Sequence, residues 1–258
     1  MGDRLAADLK KSLVQLFSRE GPDWRPKPIG SGVLVRMANS VCIFSAAHVI
    51  AEFKNRSIWI AQASEVGELR LLNGPMPVQF TGDPAMGLHQ TDPIDAAVAM
   101  LPDGDAQHLI LDAIPYSEFD PATPTQHSHY LLAGLAANRT NVNRRNHDIV
   151  TEFKPLILSE VEGSIYEKMG YEKRNHLLLK WNSRWKSVAG RHAARNLAGS
   201  SGGGIWGIDP LHADRPPQLV ATFTEVPHRH GRKVFVGTRT RVHKNLWLAI
   251  VNAVRSGT

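Results

Sequence analysis

The sequence predicts an all-β protein with a helix at each end. From Gly30 onward the chain runs in short apolar or alternating segments broken by turn residues, a texture of strands rather than helices. Leu5, Leu9, Leu13, Leu16 and Phe17 recur at helical spacing, as do Leu246, Trp247, Ile250, Val251 and Val254, so residues 4–18 and 243–255 read as amphipathic helices. A Pro-rich passage between 102 and 128 reads as a linker that divides the strands into two lobes.

The first helix stops at Gly21-Pro22. Its apolar stripe is expected to pack on the body of the protein, with a docking handle for a partner protein or a membrane surface as the second reading. Strands are expected at 31–37, 41–46, 57–62, 68–72, 77–81 and 95–101 in the first lobe. In the second they are expected at 129–134, 149–153, 156–160, 176–181, 203–207, 218–224 and 233–237. The segment 160–196 is heavily charged around one apolar strand and reads as surface loops.

With 258 residues, the chain can bury the core of one large β-rich unit or of two small lobes sharing a cleft. Hydrophobic residues make up 42% and charged residues 21%, the balance of a globular protein rather than a disordered one. The single cysteine, Cys42, excludes an intrachain disulfide framework and suits a reducing compartment. It lies in an apolar run, so a buried structural thiol is expected. The N-terminus lacks the uninterrupted apolar core of a signal peptide, and no stretch reaches the roughly 18 apolar residues of a membrane span. The expectation is a soluble cytoplasmic protein of bacterial style, without a membrane partner. Net charge is +6, but the basic residues are scattered, as at Arg144-Arg145, Lys173-Arg174 and residues 228–233. That pattern reads as a solvated basic surface rather than a nucleic-acid site.

Three local patterns bear on chemistry. In Gly199-Ser200-Ser201-Gly202-Gly203-Gly204, followed by apolar Ile205-Trp206, glycines on both sides of a serine permit a tight turn. Such a turn exposes the hydroxyl and lets main-chain N–H groups converge, as an acyl-transfer nucleophile needs. A flexible Ser/Gly loop is the alternative. Because a strand follows, the pattern does not fit the strand-to-helix elbow of α/β-hydrolases. Second, His48 follows the apolar run Val41-Cys42-Ile43-Phe44 and the small residues Ser45-Ala46-Ala47, a position from which it could serve as a general base at a cleft edge, with a satisfied core or surface histidine as the alternative. Third, Asp95 opens Ala96-Ala97-Val98-Ala99-Met100, where a partly buried carboxylate can hold an imidazole by Nδ1–H. Asp92, before Pro93, reads as a turn residue.

The chain order His, Asp, Ser is that of the chymotrypsin arrangement, and here the sequence resembles the trypsin-like (chymotrypsin-fold) serine peptidase family over roughly residues 29–240. Gly30-Ser31-Gly32-Val33-Leu34-Val35 resembles the family's opening strand and Ser45-Ala46-Ala47-His48 its Thr-Ala-Ala-His motif. Asp95-Ala96-Ala97-Val98 resembles its Asp-x-Ala segment, Gly199-Ser200-Ser201-Gly202-Gly203 its Gly-Asp-Ser-Gly-Gly motif, and Tyr130-Leu131-Leu132-Ala133-Gly134 a strand near the start of its second barrel. The resemblance implies two six-stranded antiparallel β-barrels, at 29–105 and 125–240. The N-terminal helix falls within 1–20 and the C-terminal helix at 243–255, all as one peptidase unit. It implies a serine endopeptidase with His48, Asp95 and Ser201 as triad, an oxyanion hole from the N–H groups of Gly199 and Ser201, a protein or peptide substrate, and no cofactor.

Departures from the family pattern refine this. Ser200 stands where secreted relatives carry the aspartate that receives a new N-terminus, so activation by N-terminal insertion is not expected. By motif alignment Arg195 falls at the floor of the primary pocket, and Thr224, Glu225 and Val226 fall near the strand that pairs with substrate. A cation at 195 would favour an acidic side chain before the cut; a surface arginine in a loop of altered length is the alternative. No acidic residue occupies the aligned floor, which disfavours trypsin's basic preference. No metal site is expected, since His127-x-His129 and His228-x-His230 lack a completing ligand set and read as surface histidines. The rival readings are a pseudo-protease or partner-activated binding module of the same fold, and a basic nucleic-acid-binding β protein, whose binding would weaken steeply with salt.

Overall fold

In the computed structural model the second half of the expected N-terminal helix is a strand. Residues 9–12 make a helical turn and β1 (Leu13–Glu20) follows. The structure describes residues 9–20, 25–53, 58–62, 69–72, 76–82, 92–116, 127, 129–142, 149–153, 155–181, 184–187, 190–193, 199–209 and 216–257; Leu5 of the expected helix lies outside them. The physical reason is burial on both faces. Leu13, Val14, Gln15, Leu16 and Phe17 are all fully buried, and a doubly covered strand is a continuous apolar run from which a helical spacing can always be picked. Even the polar Gln15 is satisfied inside, its Nε2 donating to the Gly30 carbonyl at 2.7 Å. Lying between β2 (Arg25–Met37) and β4 (Trp59–Gln62), β1 is a central strand, so Leu13, Leu16 and Phe17 of the expected stripe pack on the body of the protein.

The first sheet is completed by β3 (Ser40–Ser45), β5 (Arg70–Leu71), β6 (Val78–Phe80), β7 (Ala97–Met100) and β8 (Ile114–Pro115). Its order is β5-β4-β1-β2-β3-β7-β6, with β8 beside β2 in the only parallel pairing among the described residues. After it come β9 (His129–Ala133), β10 (Leu135–Val142), β11 (Ile149–Phe153), β12 (Leu156–Leu158), β13 (His176–Lys180), β14 (Arg184–Ser187) and β15 (Gly190–Ala193). The last four are β16 (Gly204–Ile208), β17 (Gln218–Glu225), β18 (His228–Arg229) and β19 (Arg232–Arg239). β10 and β11 pair separately, and the second large sheet runs β13-β19-β17-β16-β9-β12-β14-β15, with β18 beside β19. The protein is thus mostly β, with two large antiparallel sheets and a C-terminal helix.

Each strand expected from residue 31 onward has a counterpart. The linker is corrected in its first half: residues 103–109 are helix and β8 joins the first sheet, while 117–126 lie outside the described residues. The charged segment 160–196 is likewise more than loops. Its helix Gly163–Met169 buries Ile165, Tyr166 and Met169, turns Glu167 and Lys168 outward, and ends at Gly170 in a left-handed cap; β14 and β15 form a hairpin after it.

Period-two alternation explains how the sheets stack. Val41 and Ile43 of β3 face one core with Leu34 of β2, while Cys42 and Phe44 face another with Val33 and Val35. That second core also receives Leu131 and Ala133 of β9 and Trp206 of β16, whereas Tyr130, Leu132 and Ile205 face a third. Each sheet therefore has its own core, and a shared one joins them. Burial pushes the Cys42 thiol up to about 12, so it is the expected structural cysteine. The C-terminal helix Thr240–Ser256 begins before the expected 243 and adds Leu246, Trp247 and Ile250 to the shared core. Val254, expected on that face, is 57% exposed. No described helix is long and apolar enough to cross a membrane.

Candidate functional site

At the end of β3 the chain leaves the sheet through Ser45 and Ala46 into the short helix Ala47–Ala51, which carries His48. Two bonds fix this exit. The Ser45 hydroxyl donates to the Ser31 carbonyl at 2.8 Å, and the Ser45 carbonyl accepts from His243 Nε2 at 3.2 Å. His48 Nδ1 then lies 2.8 Å from Asp95 Oδ2, while its backbone N–H donates to Asp95 Oδ1 at 3.0 Å. One carboxylate thus holds both the ring and the main chain of the histidine. An ionised carboxylate only accepts, so the bonded Nδ1 carries a proton, leaving Nε2 as the basic nitrogen of the neutral ring. The side chains are 20% and 13% exposed, a partly shielded setting in which the pair is weakly screened.

Asp95 has φ of 52°, in the left-handed region that Asp tolerates better than most side chains. Asp92 supports it as an Asx turn, accepting from the N–H of Ile94 and of Asp95, each at 2.9 Å. Thr81 donates its hydroxyl to Asp92 and accepts from the Ala96 N–H at 2.9 Å. The expected turn role of Asp92 is what the structure has.

Ser201 arrives from the second sheet. Gly199 and Gly202, both at φ of 86°, bracket it, and a Cβ on Gly202 would lie 2.0 Å from the Ser31 carbonyl oxygen, so only glycine fits. The turn is tied to both sheets. Ser31 N–H donates to the Ser201 carbonyl at 2.8 Å, Ser31 Oγ donates to the Gly199 carbonyl at 3.1 Å, and Gly202 N–H donates to the Phe223 carbonyl of β17 at 2.7 Å. Ser31 and Ser45 thereby join the serine turn to the strand that leads to His48. Ser200 is buried, its carbonyl against Gly134 and the Gly203 N–H, whereas Ser201 is half-buried. All described peptides are trans, so the Ser201 N–H points away from Gly134. The Ser201 hydroxyl donates to the Thr224 carbonyl at 3.0 Å, and its one proton is therefore not directed at His48.

Of the residues expected near substrate, Thr224 meets Ser201 through that carbonyl and is itself buried, its Oγ1 donating to the Val236 carbonyl. Glu225 is exposed, and its carboxylate accepts from the Tyr171 hydroxyl at 2.6 Å. Arg195 lies outside the described residues. His129, His228 and His230 are surface residues as expected. His127 is not: its ring packs on Gly207 with Nε2 3.3 Å from Gln218 Oε1, and burial lowers its pKa. Among the described residues no group of three or more His, Cys, Asp or Glu could hold a metal ion.

Sequence reasoning missed the supporting polar residues Ser31, Thr81, Tyr171, His176, Thr238 and His243. His243 had a usable signal: with Leu246 and Ile250 it falls at i, i+3 and i+7, on the buried face of its helix. It is fully buried and stacked on Phe44 at 4.8 Å. Burial lowers its pKa to about 4, against the opposing pull of the Ser45 and Arg239 backbone and the Asp95 charge.

No protein-family model matches the chain, and no curated protein matches it.

Proposed function

We propose that the chain is a serine endopeptidase in which Ser201 is the nucleophile, His48 the general base and acid, and Asp95 the group that orients the histidine and stabilises its charged form. One observation carries this reading: the two-point grip of Asp95 on His48, at 2.8 and 3.0 Å, together with a glycine-bracketed serine whose turn is bonded to Ser31, the residue that also accepts from Ser45 at the head of the His48 helix. Ser201 Oγ attacks the scissile carbonyl as Nε2 of His48 takes its proton. Asp95 stabilises the resulting imidazolium, which then gives that proton to the leaving amine. Water repeats the steps on the acyl-enzyme. The N–H groups of Ser201 and Gly199 serve the tetrahedral oxyanion, each worth about 10²–10³ in turnover.

A peptide substrate suits the edge beside Ser201. β16 pairs with β17 from Gly204↔Thr222 downward, so Thr224 to Val226 continue past the last β16 partner, and an extended peptide could add there as a strand. On this reading the two sheets form the two lobes of one peptidase unit, the first extended by β1 beyond the implied start at residue 29, and Arg195 and Glu225 bear on side-chain choice.

A latent or partner-activated form of the same protein is a second reading, favoured by the bond from Ser201 Oγ to the Thr224 carbonyl at 3.0 Å. Attack with His48 as base requires the hydroxyl to leave the Thr224 carbonyl. Reaction of the purified protein with a fluorophosphonate probe separates the two. Wild type and Ser200→Ala are expected to label and Ser201→Ala is not; a folded wild type that fails to label supports latency.

A further inference from the structure

We propose that His176, on β13, is a positioning residue for Asp95, holding the segment that carries the carboxylate through its Nε2 nitrogen. This inference rests on the roles of His48, Asp95 and Ser201 given above.

The Asp95 segment belongs to the first sheet, but two of its carbonyls are gripped from the second. His176 Nε2 donates to the Pro93 carbonyl at 2.9 Å, and the Thr238 hydroxyl donates to the Ile94 carbonyl. His176 and Thr238 are direct cross-strand partners in the β13–β19 ladder, so their side chains stand on one face as two adjacent prongs. Successive carbonyls just before Asp95 are thereby fixed, at the point where its backbone adopts a left-handed φ of 52°. Asp92 braces the same turn from within its own segment, whereas the two prongs tie it to the opposite sheet.

The ring of His176 is itself fixed. It is buried and its carbonyl accepts from Arg239 Nε at 2.9 Å; Nδ1 lies 3.1 Å from the Glu172 carbonyl, but a neutral ring has one N–H, and with that proton on Nε2 the Glu172 carbonyl is a neighbour and not a bonded partner. Its other neighbour is the Tyr171 ring, edge-on at 5.0 Å, and Tyr171 holds Glu225, next to the Thr224 that receives the Ser201 hydroxyl. His176 therefore stands between the segment bearing the carboxylate and the segment that meets the nucleophile. A carboxylate displaced by about an ångström would take the His48 ring with it, and misplacement on that scale can cost about 10²-fold in rate.

The two ring nitrogens allow a selective test. A glutamine amide nitrogen reaches about as far as Nε2, and an asparagine amide about as far as Nδ1. His176→Gln is expected to keep the fluorophosphonate labelling rate within about threefold, whereas His176→Asn, whose shorter amide does not reach the Pro93 carbonyl, is expected to slow it about 10- to 100-fold. Thr238→Val, which preserves shape and removes the second donor, should also slow labelling, and it decides the matter if the Asn variant does not fold. A readout independent of activity is the proton NMR resonance of His48 Nδ1–H. It should stay in place in the Gln variant and move or broaden in the Asn variant. Equal rate losses in both variants that track their thermal stability, with the resonance unmoved, would overturn the proposal. A wild type that labels beside an Asn variant indistinguishable from it would also sink the clamp while leaving the peptidase reading intact. A wild type that does not label, with the resonance shifted by Asn and not by Gln, supports the clamp and counts against the peptidase reading.

Discussion

His48 and Asp95 hang from the first sheet and Ser201 from the turn that opens β16 in the second, and the two halves of the site are held differently. The first half is bonded side chain to side chain and side chain to main chain, with Asp92, Thr81, His243 and the two prongs of the second sheet behind it. In the second half the main chain is equally fixed, but the hydroxyl points to a carbonyl of β17. The difference teaches where order is needed. A general base must keep one tautomer and one orientation through the whole reaction, whereas a nucleophile has to reach its proton acceptor only when it attacks.

The largest effect should come from disturbing the fixed half. Asp95→Asn leaves an amide beside His48 Nδ1 and favours the wrong tautomer, so the labelling rate of Ser201 is expected to fall by about 10³–10⁴-fold while the fold persists. Rates within tenfold of wild type would mean that Asp95 is a structural anchor only. Next in size is the turn of the second half. Gly202→Ala combines a left-handed φ with a Cβ 2.0 Å from the Ser31 carbonyl oxygen, and should cost about 2–4 kcal/mol in urea denaturation as the turn separates from β2. An unchanged midpoint would show that the turn does not need Ser31.

The last effect, confined to acid pH, concerns His243, which braces the fixed half from behind. Its folded pKa of about 4 lies below its ordinary value of 6.5, so between those values the unfolded chain binds more protons than the folded one. Stability therefore rises with pH across that window and is lost as pH falls, by roughly 3 kcal/mol over the whole range. In His243→Gln, whose amide can still donate to the Ser45 carbonyl, the denaturation midpoint should depend less on pH between 4 and 6.5. An equal slope in both proteins would assign the acid sensitivity to other groups.

His48 and Ser201 were legible because each sits in a local pattern with its own physical reason, a histidine at the end of an apolar strand and a serine between glycines. Asp95 was legible mainly by chain order; its left-handed backbone and the supporting Asx turn are visible only in three dimensions. The strands from residue 31 onward followed from alternation and turn residues. β1 did not, since burial on both faces erases the period that distinguishes strand from helix. His176 and His243 were missed for another reason: their partners Pro93 and Ser45 lie 83 and 198 residues away in sequence, and no local pattern records such a bond. Arg195 was read by alignment alone.

The central claim is that Ser201 is a nucleophile activated by His48. Its most direct test is peptide mapping of the purified wild type and of His48→Ala after reaction with a fluorophosphonate. One labelled residue is expected, Ser201, with labelling lost in His48→Ala. A label on Ser200, or a Ser201 label whose rate ignores His48, would contradict it.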